Sequence, residues 1–302
     1  MLEEAQETMG VAQTSLRQSK EGSSDGGLYV ETLGAGPEEK QAILDLAAHP
    51  KNDIDPVVSY MVGATNGIAY KNLIGHLQEY PIPELRLPSS NGKIFLDIGC
   101  SWGRWCVAAA RKGYRVVGID PSLGAIMAAK RVARQLQVDA QFIVGDARFL
   151  PFSDSSIDCA FSYSVIQHFS RDDAALVIAD IGRVLKENGI SLVQMPSKFG
   201  LRCLQHQLRR RFREATGFEV RYWSLPALRR LFSSRIGHTK FSVDCYFGIG
   251  LQFSDLRLMS PILKVVVTAS EGLRRLSRVM PPLKWVADSV YVLSVKSAQG
   301  PL

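Results

Sequence analysis

The chain has 302 residues, enough for one substantial hydrophobic core with additions or for two small ones. Apolar residues make up 46% and charged residues 22%, an ordinary globular composition, and no run of about 18 apolar residues exists to span a bilayer as a helix. The formal net charge of +7 is unevenly placed: residues 1–55 carry four Lys/Arg against eleven Asp/Glu, and residues 198–240 carry eleven against two. That asymmetry predicts a local basic surface rather than a general nucleic-acid coat. Five scattered cysteines (Cys100, Cys106, Cys159, Cys203, Cys245) form no C-x-x-C, so neither a zinc site nor a disulfide framework is expected. The opening Met1-Leu2-Glu3-Glu4 does not read as a signal peptide, and the expectation is a cytoplasmic protein.

Residues 1 to about 27 are polar, end in G-S-S-D-G-G, and are expected to be disordered. Pro37 to His49 reads as a short helix and Val57 to Tyr80 as one or two more. The stretch K-I-F-L-D-I-G-C-S-W-G-R-W follows, from Lys93 to Trp105. Ile94 to Leu96 predict a buried strand, Gly99 and Gly103 a tight turn, and Arg104 to Lys112 a helix. A strand, a glycine turn and a helix start make a nucleotide-type site, because backbone N–H groups face outward and missing Cβ atoms let a ligand approach. Asp97 repels a pyrophosphate but suits an amine-bearing ligand.

Strands and helices then alternate. Arg115 to Ile119 is a strand ending in Asp120, and Ser122 caps a helix. Ala140 to Val144 and Ile157 to Ser162 are strands. Asp172 or Asp173 opens a helix through Leu185, stopped by Asn188-Gly189, and Ile190 to Gln194 is a fifth strand. Such alternation predicts an α/β fold with a parallel sheet, helices on both faces, and ligands at the carboxyl ends of the strands. Gly200 to Thr216 reads as a basic helix, Ser224 to Phe232 as a short helix, Lys240 to Phe247 and Ser289 to Lys296 as strands, and Pro261 to Met280 as a basic amphipathic segment.

Leu96, Asp97, Gly99, Cys100 and Gly103 resemble motif I of the class I S-adenosylmethionine-dependent methyltransferases, with Ser101 in place of the usual middle glycine. Leu150 to Asp158 resembles the "L-P-F-x-D-x-x-F-D" run of their small-molecule branch, Ser162 to Phe169 the segment that follows it, and Arg183 to Gly189 their "R-x-L-K-P-G-G" helix end. The resemblance covers about Ile94 to Pro196. It implies a Rossmann-like, seven-stranded, mostly parallel sheet with the last strand antiparallel. It also implies S-adenosyl-L-methionine as cofactor, held by residues 56–197, with the acidic 1–55 before it and a basic, substrate-side 198–302 that completes the sheet. Asp97 and the turn Gly99, Cys100, Ser101 and Gly103 would hold its amino-acid end. Asp120, with Pro121, would take the ribose; Asp146, with the Ala147 N–H, the adenine; Ser164 would line the site. A helix before the first strand would lid it, with Tyr60 or Tyr70 lining it, against ordinary helix packing as the alternative.

A hydroxyl acceptor benefits from a base, and His168 is the candidate because its ordinary pKa lies near neutrality; a capping or packing role is the alternative. Asp172 and Asp173 open a helix and suit its dipole rather than a metal. No N-P-P-Y, D-P-P-Y or Pro-Cys pair occurs, so nucleic-acid base methylation is not expected. The expectation is methyl transfer, by in-line displacement, to a hydroxyl of a small-molecule or lipid- or saccharide-linked acceptor. The competing readings are a methyltransferase-like scaffold and, less favoured, an NAD-type oxidoreductase. The basic amphipathic segments of 198–280 admit peripheral membrane contact as well as a solvated arginine face. Oligomeric state is not readable.

Overall fold

A computed structural model describes residues 27–65, 68–248 and 251–297, so the disorder expected over the first residues lies outside the described part. Seven strands, β1 (Ile94–Ile98), β2 (Arg115–Asp120), β3 (Ala140–Val144), β4 (Ile157–Ser162), β5 (Leu185–Pro196), β6 (Gly237–Cys245) and β7 (Ser289–Lys296), form one sheet in the order β3-β2-β1-β4-β5-β7-β6. The first five run parallel, and β7 is antiparallel to both β5 and β6. β1 pairs with β2 on one side and β4 on the other, so the strand order reverses there and a crevice opens at its carboxyl end.

The central strands are largely apolar because both sheet faces are covered. Alternate residues serve opposite cores. Leu96, Ala160, Val193 and Val292 face the helices Arg171–Val184 and Leu225–Ser233, through Val177, Ile178, Ile181, Leu228 and Phe232. Phe95, Phe161, Leu192 and Tyr291 face the helices Arg104–Ala110 and Leu123–Gln135, through Trp105, Cys106, Ile126 and Ala129. A third cluster lies outside those two helices. There Ile43 of the helix Pro37–Ala48 and Val57, Val58 and Val62 of the helix Pro56–Thr65 meet Trp102, Val107, Ala128, Leu251 and Val267. The acidic N-terminal part that is described is thus built onto the core.

Three expectations shift. The helix opened by Ser170 ends at Val184, and β5 begins at Leu185, not Ile190. Asn188, at φ +60°, lies in an irregular start of that strand, between the pairs Ile157–Leu185 and Cys159–Ile190. The basic helix stops at Arg209, because Arg211 and Phe212 take φ +52° and +54°, a left-handed backbone that no helix of L-residues continues through. Tyr70 packs within the third cluster: it is fully buried, and its hydroxyl donates to Asp255.

Asp255 also receives Nη2 of Arg104 at 3.1 Å, and both side chains are nearly buried. This ion pair ties the strap Phe253–Leu258 to the first residue of the helix after the glycine turn. Replacing Asp255 with Ala leaves a buried guanidinium unpaired and is expected to cost about 3 kcal/mol in urea unfolding, with Asp255→Asn costing less. Equal, near-zero losses would show the pair to be structurally idle.

Candidate cofactor site

The turn after β1 is left-handed three times, at Gly99 (φ +74°), Ser101 (φ +50°) and Gly103 (φ +82°). Gly99 is needed twice over: a Cβ there would sit 2.3 Å from Cγ2 of Val165, in the loop that follows β4. Ser101 adopts a backbone that costs an L-residue about 1 kcal/mol. Bonds from β2 hold it there. The Gly99 and Cys100 amides donate to the Ile119 carbonyl at 2.8 and 3.0 Å, and the Ser101 amide donates to Oδ2 of Asp120 at 2.9 Å. Oδ1 of Asp120 accepts from the Ser122 amide, also at 2.9 Å, across Pro121. Burial pushes the Asp120 carboxyl up, against these two bonds.

Asp97 lies beneath the turn, 1% exposed. The hydrogen bond it accepts comes from the Cys106 thiol at 3.2 Å, and among the described residues no cation pairs with it. Burial pushes its carboxyl up to about 7, the thiol pulling the other way. Cys100 is buried beside it, its thiol pushed up to about 11 by burial. The Ser101 Oγ is buried without a hydrogen-bond partner. A buried carboxylate without a cation and an orphaned hydroxyl at one turn fit the amino-acid end of S-adenosylmethionine, whose ammonium and carboxylate would satisfy both.

The remaining expected residues are placed less directly. Asp146 follows β3, but Arg148 grips its carboxylate, with Nη2 at 2.6 Å and Nε at 3.1 Å. Arg148 holds the Asp146 carboxyl below its usual range, so an adenine amino group there competes with a guanidinium. Ala147 is buried in the core, and Phe149 is exposed beyond it. Ser164, at φ +59°, spends its amide and its hydroxyl on Oε1 of Gln194, at 3.0 and 3.2 Å. Asp173 caps its own helix with Ser170 and also meets Arg148.

His168 ends a 3-10 turn, Ile166–His168. Its Nδ1 lies 2.8 Å from the Phe218 carbonyl and therefore donates, which leaves Nε2 to accept from the Gln167 amide at 3.2 Å. The ring stacks on Phe218 with centroids 4.0 Å apart, and Arg221 donates to the His168 carbonyl. Burial lowers the imidazole pKa from its ordinary value, so the ring is neutral at pH 7. Tyr163 turns to the other face, where its hydroxyl donates to Asp244 and accepts from Gln252.

Sequence reasoning missed Gln194, Phe218, Arg148 and the segment at Thr32. The Thr32 carbonyl accepts from the Ser122 hydroxyl, so residues from outside 56–197 cover the helix start beside Asp120. Most of these carry no local signal. Arg104 does: a cation in the first turn of a helix opposes the dipole and calls for an acid elsewhere.

The fold and the turn define a Rossmann-like class I methyltransferase architecture. Residues 95–189 match the family model described as a methyltransferase domain. The chain therefore carries a class I S-adenosylmethionine-dependent methyltransferase domain, and S-adenosylmethionine is the cofactor that this family uses. The chain is 33% identical over 111 residues to the ubiquinone biosynthesis O-methyltransferase of Bartonella quintana, covering 37% of this chain and 44% of that protein. It is 34% identical over 104 residues to the malonyl-[acyl-carrier protein] O-methyltransferase of Serratia marcescens, covering 34% and 38%. The chain thus spans less than half the length of these curated relatives. A solved S-adenosylmethionine-dependent methyltransferase from Methanosarcina mazei is similar at 20% identity and a TM-score of 0.48, over 74% of this chain and 100% of that one.

Asp97 supplies a signed pH test. Its folded pKa of about 7 exceeds the ordinary 3.8, so the folded state holds a proton that the unfolded state has lost. Its contribution to stability therefore falls as pH rises from about 4 to about 7, and Asp97→Asn should flatten that slope in the free protein. S-adenosylhomocysteine should bind more tightly as pH rises through about 7, and Asp97→Asn should bind it about tenfold more weakly at pH 8 by calorimetry. Unchanged affinity would remove the assigned role.

Proposed function

We propose that this chain transfers a methyl group from S-adenosylmethionine to an oxygen of a small-molecule or lipid-linked acceptor. The observation that carries the reading is the buried, cation-free Asp97 carboxylate below a left-handed turn with an orphaned Ser101 hydroxyl. The domain match over 95–189 supports it, and so do two relatives whose names both say O-methyltransferase. The cofactor supplies a sulfonium methyl that is displaced in line. The chain's part is to hold the acceptor oxygen against that methyl and keep water out.

Asp97, Ser101 and Asp120 orient the donor in this reading. The loop after β4, seated on Gly99 through Val165, brings His168 to the same end of the sheet. Its neutral Nε2 takes the acceptor's hydroxyl proton once the Gln167 amide gives way to that hydroxyl. Nδ1–H on the Phe218 carbonyl fixes the tautomer this needs.

The first test is calorimetry with S-adenosylhomocysteine, with NAD as control. Labelled-methyl assays on phenols, alcohols and carboxylic acids follow. Binding of S-adenosylhomocysteine alone is expected; binding of neither would favour the scaffold reading. His168→Ala should lower kcat about a hundredfold and leave the S-adenosylhomocysteine affinity unchanged. At saturating cofactor the wild-type rate should be flat above pH 7 and fall on acidification, because burial lowers the imidazole pKa from its ordinary value. An unchanged kcat would end the base assignment.

A further inference from the structure

The helix Leu201–Arg209 shows its leucines to solvent. Cys203 and Gln207 turn inward, and Asp288 accepts the Arg202 and Cys203 amides at 2.7 and 2.9 Å, which fixes the helix's rotation. Leu201, Leu204 and Leu208, spaced i, i+3 and i+7, therefore form one outward row, 58%, 37% and 56% exposed. Phe199 and Phe212 extend it at either end and are also exposed. Residues 198–213 contain six Lys/Arg and no acid. Arg210 and Arg213 lie within ion-pair distance of Glu219, but among the described residues no acid pairs with Arg202, Arg209 or Arg211. A second segment reaches that helix through Asp288. Val279, Met280, Trp285 and Val286 are exposed, interleaved with Arg278 and Lys284, and the chain then runs straight into Asp288.

The row stands just beyond Pro196, the end of β5, and so at the sheet edge where Asp97, Asp120 and Ser164 lie. We propose that this face docks on an anionic bilayer surface and presents that edge to the interface. A nucleic acid would meet the arginines and leave the leucines in water. A second copy would set arginines against arginines. An anionic bilayer offers phosphate and hydrocarbon side by side, and an amphipathic helix lies in that plane. Among the described residues no helix is long and apolar enough to cross a membrane. The proposal goes beyond methyl transfer and does not depend on it.

The test is vesicle flotation of the full chain, with phosphatidylglycerol–phosphatidylcholine vesicles against phosphatidylcholine alone. Binding to the anionic vesicles is expected, with little to the neutral ones. The double variant Arg209→Gln/Arg211→Gln should weaken it about thirtyfold, at about a factor of five for each charge removed near the surface. Leu204→Asp/Leu208→Asp should abolish it, while S-adenosylhomocysteine calorimetry and near-ultraviolet circular dichroism confirm the fold. No flotation by the wild type would overturn the proposal. So would anionic binding that survives the leucine variant, which marks a polyanion site. A dimer that the leucine variant converts to monomer would overturn it too, by assigning the face to a second copy. If the wild type floats but binds no S-adenosylhomocysteine, the methyl-transfer reading falls and the docking face stands.

Discussion

The junction between the ends of β1 and β2 sets the form of the site. A tight turn must carry the chain from a buried strand into a helix within five residues, 99–103, and it does so with three left-handed residues. One of them is a serine, for which that backbone is unfavourable. Asp120 answers for it by accepting the Ser101 amide, and the Ile119 carbonyl takes the two amides before it. The same carboxylate holds the Ser122 amide, where the next helix starts. One acid thus fixes both the turn after β1 and the helix that flanks it.

Below that junction the protein tolerates a carboxylate, Asp97, buried with a thiol as its hydrogen-bond donor. Burial without a cation opposes ionisation. A site of this kind is better satisfied by a ligand that brings a positive charge than by water. Arg104, a few residues on, shows the contrasting solution: a buried cation given its own acid from the distant strap Phe253–Leu258. The turn is therefore held from both directions, by β2 and by a segment about 150 residues later in the chain.

The edge beyond β4 and β5 is organised by different forces. Val165 fits against Gly99 because a glycine leaves room, and Gln194 anchors Ser164 in a left-handed backbone. His168 is set by stacking on Phe218 and by the Phe218 carbonyl. Just past Pro196, from Phe199 to Phe212, the chain leaves its leucines and phenylalanines exposed next to arginines, a composition that a watery surface alone does not reward.

By itself the sequence determined the alternation of strands and helices, the glycine turn and the acids at strand ends. Each is written locally: a buried strand is a short apolar run, a turn needs glycine, and a cap needs serine. β7 was legible to the residue, because Ser289 to Lys296 is an uninterrupted strand pattern. Tertiary structure decided what long-range contact decides. Asn188-Gly189 looks like a helix stop, yet pairing of Leu185 with Ile157 draws it into β5. The arginine run looks helical to Thr216, yet the chain turns at Arg211. Tyr70 belongs to Asp255, and the ring of His168 to a loop 50 residues away. Partners such as these have no spacing in the chain to be read, because only folding brings them within hydrogen-bond reach.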